Sequence, residues 1–157
     1  MNGDEFAGLN KRIHQELREI QRVMTRISDG WERARRSNDD FYIDGVALNL
    51  HGLYSGFERI FIHIAEAVDD NLPHGENWHE LLLKQMMGEV PGVRPAVVSV
   101  ETGCLLDELC RFRHMVRHVY THNFNPGNIE KLILYASDAL ERQKAELTAF
   151  TDFLEQA

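Results

Sequence analysis

Leu9-Asn10-Lys11-Arg12-Ile13-His14-Gln15-Glu16-Leu17-Arg18-Glu19-Ile20-Gln21-Arg22-Val23-Met24-Thr25-Arg26-Ile27 is the stretch whose reading decides the fold. Its apolar residues recur at spacings of three and four, and the rhythm continues to Trp31. A helix of about 3.6 residues per turn gathers such positions onto one stripe, so the spacing predicts an amphipathic helix over about Glu5 to Arg36. Ser37-Asn38-Asp39-Asp40 breaks that helix and supplies caps for the next one.

The second segment, about Phe41 to Val68, carries Leu50, Leu53, Phe57, Ile60, Phe61, Ile64, Ala65 and Val68. Its apolar arc is wider, as a central bundle helix requires. Gly45, Gly52 and Gly56 each weaken helix propensity by up to ~1 kcal/mol. Close helix approach accounts for the latter two, with local bending as the alternative. A polar loop from Asp69 to Glu76 contains Pro73 and Gly75. Asn77 is placed to cap a short helix through Met87, in which Trp78, Leu81, Leu82, Gln85 and Met86 recur at helical spacing.

Gly88 to Pro95 is a connector, and Ser99 is the expected cap of a fourth helix running to about Tyr120. Asn125-Pro126 has the order of a cap followed by a first-turn proline. The last helix carries Ile129, Leu132, Ile133, Ala136, Leu140, Leu147, Phe150 and Leu154. No β alternation and no internal repeat interrupts this pattern. The expected fold is all-α: an up-down bundle of four long helices plus one short helix, forming a single domain over residues 1–157.

Composition agrees with a folded protein, at 43% hydrophobic and 27% charged residues. No apolar run approaches the ~20 residues that cross a bilayer, and the first residues lack a basic head followed by an apolar segment. A cytoplasmic location without membrane contact is expected. Cys104 and Cys110 stand six apart on one predicted helix and face different ways, so no disulfide between them is expected. A formal net charge of −8 argues against broad, sequence-blind nucleic-acid binding, which draws on many Lys and Arg contacts. It leaves room for a local phosphate site, and it also suits a basic protein partner.

One stretch reverses that charge. Arg111-Phe112-Arg113-His114-Met115-Val116-Arg117-His118-Val119-Tyr120-Thr121-His122 holds three arginines, three histidines and a tyrosine, with no carboxylate among them. On a helix, Leu105, Leu109, Phe112, Val116 and Val119 form a narrow core stripe, with Arg113, Arg117 and Tyr120 on a flank beside it. Guanidinium groups hold a phosphodiester, and imidazoles move its protons. Arg113 and His118 are five residues apart, about 140° around an ideal helix, so one straight helix does not turn both toward one phosphate. Either the helix distorts near its end, or a second copy completes the site across a two-fold axis.

Each residue has a plainer explanation when taken alone. A flank arginine is ordinarily solvated or ion-paired, a lone histidine sits at a surface or core edge, and Tyr120 suits packing with its hydroxyl in water. The combination gives the cluster its weight. His114-x3-His118-x3-His122 has a spacing that suits zinc, but arginines lie among the histidines and no nearby carboxylate or cysteine completes a set. No metal and no cofactor are therefore expected.

Arg113-x4-His118-x-Tyr120, late in an all-helical chain of this length, resembles the signature of the HepT-like toxins of the HEPN superfamily. Phe57-Glu58-Arg59-Ile60, Gly75-Glu76-Asn77-Trp78-His79 and the terminal helix are similar to that family's layout. The resemblance implies a HEPN-like bundle and a homodimer whose motif helices face one another across an RNA-cleaving cleft. It also implies metal-independent attack by the RNA's own 2'-hydroxyl. Arg113 would neutralise the scissile phosphate and His118 would shuttle a proton. His114 would orient a catalytic group, and Arg117 would add a phosphate contact.

The implied partner is a minimal nucleotidyltransferase of the MNT type acting as antitoxin, which in some pairs transfers AMP to the motif tyrosine, here Tyr120. An adenylylated tyrosine would block a cationic cleft by charge and bulk. The second residue of the motif is His114, where close relatives often have asparagine. Related helical proteins also serve as non-catalytic nucleotide- or partner-binding subunits of minimal nucleotidyltransferases, and that is the alternative function.

Overall fold

A capping box starts the first helix. The Asn2 side chain accepts the Glu5 N–H at 2.9 Å, and the Glu5 carboxylate accepts the Asn2 N–H at 2.9 Å. From there the computed structural model describes residues 2–116 and 124–157. Helix α1 spans Gly3–Ser37 and buries Leu9, Ile13, Leu17, Ile20, Met24 and Ile27, the stripe expected from the spacing. It stops at Asn38, whose φ of 53° and ψ of 31° lie in the left-handed region that asparagine tolerates. Asp39 Oδ1 then accepts the Phe41 N–H at 3.0 Å as the chain turns into the second helix.

Helix α2 spans Phe41–Ile64 and continues into a π-helical turn, Ala65–Asp69. It touches each of the other helices and contributes the bulkiest buried side chains, Tyr54, Phe57 and Phe61. Such an all-round apolar surface marks a central helix. The short α3 spans Trp78–Met87, α4 is described over Val100–Val116, and α5 spans Pro126–Gln156. These are the four long helices and one short helix expected of the bundle. Among the described residues no sheet forms; Val90 and Arg94 make one isolated bridge.

The expected caps divide. Ser99 Oγ accepts the Thr102 N–H at 3.2 Å, and Asn125 Oδ1 accepts the Asn128 N–H at 3.2 Å ahead of Pro126. Glu146 of α5 reinforces the α4 start by accepting the Ser99 N–H at 2.9 Å and the Thr102 hydroxyl at 2.8 Å. Asn77 occupies the cap position of α3, but its side chain makes no capping hydrogen bond.

The glycines divide in the same way. A Cβ at Gly56 would stand 2.6 Å from Ile20 Cγ1, so α1 and α2 meet closely there; a Cβ at Gly52 would meet nothing within 4 Å. Close approach therefore explains Gly56 and not Gly52. Gly56→Ala is expected to lose about 1–3 kcal/mol through overpacking, whereas Gly52→Ala should hold or raise stability by up to about 1 kcal/mol. Urea denaturation of the pair checks this, and equal midpoints would show that the α1–α2 contact has slack.

One anchor has no counterpart among the sequence motifs. Arg94, in the connector after α3, is 3% exposed. Its Nε and Nη2 donate to Asp69 Oδ1 and Oδ2 at 2.6 and 2.7 Å. Nη1 donates to the Gly88 and Pro95 carbonyls at 2.9 Å each, and Nη2 to the Gln85 carbonyl at 3.1 Å. Five hydrogen bonds match the five N–H donors of a guanidinium, so its burial leaves nothing unsatisfied.

Cys104 is exposed and Cys110 buried, both as free thiols, as their spacing requires. No helix among the described residues is long and apolar enough to cross a membrane.

Candidate functional site at the α2–α3–α4 junction

Helix α4 packs against α2, α3 and α5, and it buries Leu106, Leu109, Cys110 and Phe112. The stripe is wider than Leu105, Leu109, Phe112 and Val116 alone, because Leu106 and Cys110 join it. Arg111 sits outside, paired with Asp107 across one turn at 2.9 Å. This is the ordinary solvated pair that its position suggests. His114 and Met115 are exposed, and Val116 is partly buried.

Arg113 does not stand out into solvent on the flank. Its side chain is only 13% exposed and turns toward α2 and α3. There it meets Glu58 in the C-terminal third of α2 and His79 in the first turn of α3. His79 Nδ1 lies 2.6 Å from Glu58 Oε2. Arg113 Nη1 stands 3.6 Å from Glu58 Oε1 and 3.1 and 3.3 Å from the two ring nitrogens of His79. Nη1 is nearly equidistant from the two ring nitrogens, so it stands against the imidazole rather than in line with one lone pair. Trp78 lies against the imidazole with ring centroids 3.7 Å apart, fixing the plane in which those nitrogens act.

Beneath this array sits a neutral pair. Tyr54 lies one turn before Glu58 on α2, and Cys110 one turn before Arg113 on α4. Burial, aided by Cys110 and the Glu58 charge, holds the Tyr54 hydroxyl well above the usual tyrosine range. Burial likewise pushes the Cys110 thiol up. Both keep their protons at neutral pH, so the pair adds no charge beside the ionic groups.

Arg94 and Arg113 thus behave differently. Arg94 spends every donor on the protein. Arg113 makes its contacts with described residues through Nη1 alone, and its Nε is buried without a hydrogen-bond partner. A guanidinium held in place between a carboxylate and an imidazole is chemically suited to face an anion such as a phosphate.

The carboxylate missing from the basic stretch therefore arrives from α2. Glu58 and His79 were visible in the sequence only as members of short segments. The available signal was a carboxylate inside the apolar run Phe57-Glu58-Arg59-Ile60-Phe61, on an arc that has to be buried. Arg117, His118 and Tyr120, with His122, lie outside the described residues, as does the expected end of the fourth helix near Tyr120. The described residues contain no group of three or more His, Cys, Asp or Glu side chains placed to hold a metal ion.

The family model for HepT-like proteins matches residues 45–154, from the first turn of α2 almost to the end of α5. That span covers most of the chain, and the protein belongs to the HepT-like family. No curated protein and no solved structure matches it.

Proposed function

We propose that this protein is a metal-independent endoribonuclease toxin that works as a homodimer alongside an MNT-type nucleotidyltransferase antitoxin. The observation that carries this function is the Glu58–His79–Arg113 array. It fixes the motif arginine between a carboxylate and an imidazole in a partly dry setting, which suits it to neutralise an anion. Membership of the HepT-like family supports the same function.

In the proposed reaction the RNA 2'-oxygen attacks the adjacent phosphorus and the bond to the 5'-oxygen breaks, leaving a 2',3'-cyclic phosphate and a 5'-hydroxyl. The proton leaves the 2'-hydroxyl and is returned to the 5'-oxygen, with His118 as the group that moves it. Arg113 neutralises the charge that builds on the non-bridging oxygens, a role worth most where water is excluded. Glu58 and His79 are positioning residues that act through Arg113. His114 and Arg117 support the phosphate, and the facing copy supplies the second half of the cleft. Adenylylation of Tyr120 would silence the enzyme by placing a phosphate and a nucleoside in that cleft.

The test is cleavage of total RNA by unmodified protein, confirmed by intact mass, without added metal and beside His118→Ala. Loss of a general acid–base group is expected to lower the rate by about 10²–10⁴-fold with the dimer and fold retained. A folded, unmodified dimer that leaves RNA intact would instead favour a nucleotide- or partner-binding subunit of the nucleotidyltransferase.

A further inference from the structure

A cavity of about 610 Å³ opens between the C-terminal part of α1 and the first turns of α2, a volume within the range of small-molecule sites. Phe41 and Tyr42 stand at its edge, with Phe41 75% exposed, and Val46, Val116 and Phe124 give it an apolar wall. Arg26, Asp29 and Arg33 line it from successive turns of α1, and Asp44 and Asn49 line it from α2. Elsewhere on α1 charges close on one another, as Arg36 does with Glu32 at 3.0 Å. The side chains of Arg26, Asp29, Arg33 and Asp44 make no hydrogen bond or ion pair among the described residues. Asn49 donates its amide to the Gly45 carbonyl at 2.8 Å, which leaves its side-chain oxygen as an acceptor.

We infer that this cavity is a subsite for an unpaired nucleobase of single-stranded RNA, a substrate contact that rests on the ribonuclease function proposed above. The lining suits that ligand in each part. Exposed aromatic rings offer faces on which a base stacks. Two carboxylates and an amide oxygen accept from exocyclic amino and ring N–H groups. Arg26 and Arg33 are about 10 Å apart along α1 and can reach the phosphates on either side of a seated base.

A lone phosphate would be repelled by the carboxylates, and a purely apolar ligand would use only the side formed by Val46, Val116 and Phe124. A duplex offers no unstacked base to insert. The position also fits, since Val116 lies one helical turn beyond Arg113.

Gly45 provides a steric test, because a Cβ there meets nothing within 4 Å and a larger side chain grows into open space. The experiment uses full-length protein carrying His118→Ala, an unstructured fluorescein-labelled RNA strand and the corresponding duplex, read by fluorescence anisotropy. Gly45→Leu and Phe41→Ala are each expected to weaken single-strand binding about tenfold, with duplex binding changed less than about threefold. Phe41 is on the surface, so its variant carries the test should Gly45→Leu fail to fold.

Unchanged single-strand affinity in both variants overturns the subsite, as does a parent protein with no affinity for the strand. A change in assembly mass by light scattering with unchanged affinity overturns it too, and assigns the cavity to a second copy of the chain. Cleavage of total RNA by protein with an intact His118 is read separately. RNA left intact while the variants lose binding removes the nuclease and keeps the base subsite. Cleavage with unaltered binding does the reverse.

Discussion

Asp69→Ala is expected to remove about 3–5 kcal/mol of folding stability, because it strands a buried guanidinium without its charge partner. The side chains of Arg94 and Asp69 are 0% and 4% exposed, so water cannot replace the lost contact. Against a total of about 5–15 kcal/mol for a domain, that loss is large enough to populate unfolded protein near 37 °C. The effect should appear as a lower urea midpoint with a preserved slope. Glu32→Ala, which breaks the exposed pair with Arg36, is the control and should change stability by less than about 0.5 kcal/mol. Similar losses for both would mean that the connector is dispensable and that Arg94 finds solvent when Asp69 is gone.

Glu58→Gln is expected to act mainly on function. The amide keeps the size of the carboxylate but removes the charge that holds Arg113 and the strong acceptor for His79. The stability cost should be about 1–3 kcal/mol, less than at Asp69, because Arg113 keeps some exposure and stands 3.6 Å from Glu58. Cleavage should fall about 10²-fold, as expected when a catalytic group is misplaced by roughly an ångström. The fall should lie in kcat with KM nearly unchanged, because RNA can still bind through the other cations. Glu58→Asp should recover part of the rate. A KM effect alone, or a rate loss no larger than the loss of folded protein, would make Glu58 a structural residue and leave Arg113 without its orienting partner.

Much of the fold was legible because helix formation is local. The three-four rhythm of α1, the Ser37–Asp40 break, Ser99 and Asn125-Pro126 each act within a few residues, and the structure uses them as the sequence suggests, except that Asp40, the residue before α2, makes no side-chain cap. Asn77 departs for a local reason as well: at the cap position its φ of −102° and ψ of 24° are not the extended conformation in which a side chain caps. Gly52 and Gly56 look alike in the sequence. They differ only in what stands opposite, which is Ile20 for one and open space for the other.

The candidate site was legible by half. Arg113 could be chosen because its charge and its neighbours on the chain are written in the sequence. Its orientation could not, because that depends on Glu58, 55 positions earlier, and His79, 34 positions earlier. A buried carboxylate in an apolar helix costs free energy unless a partner meets it. The sequence shows the carboxylate and the candidate cations but not their distances.

By itself, then, the sequence determined the helices, the order in which they succeed one another and the basic motif late in the chain. These depend on interactions between residues three or four apart. The tertiary structure alone decided which charges are spent on holding the fold and which are held ready. Arg94 and Arg113 are the same residue type on the same chain, and packing pairs every donor of one while, among the described residues, it leaves Nε of the other without a partner.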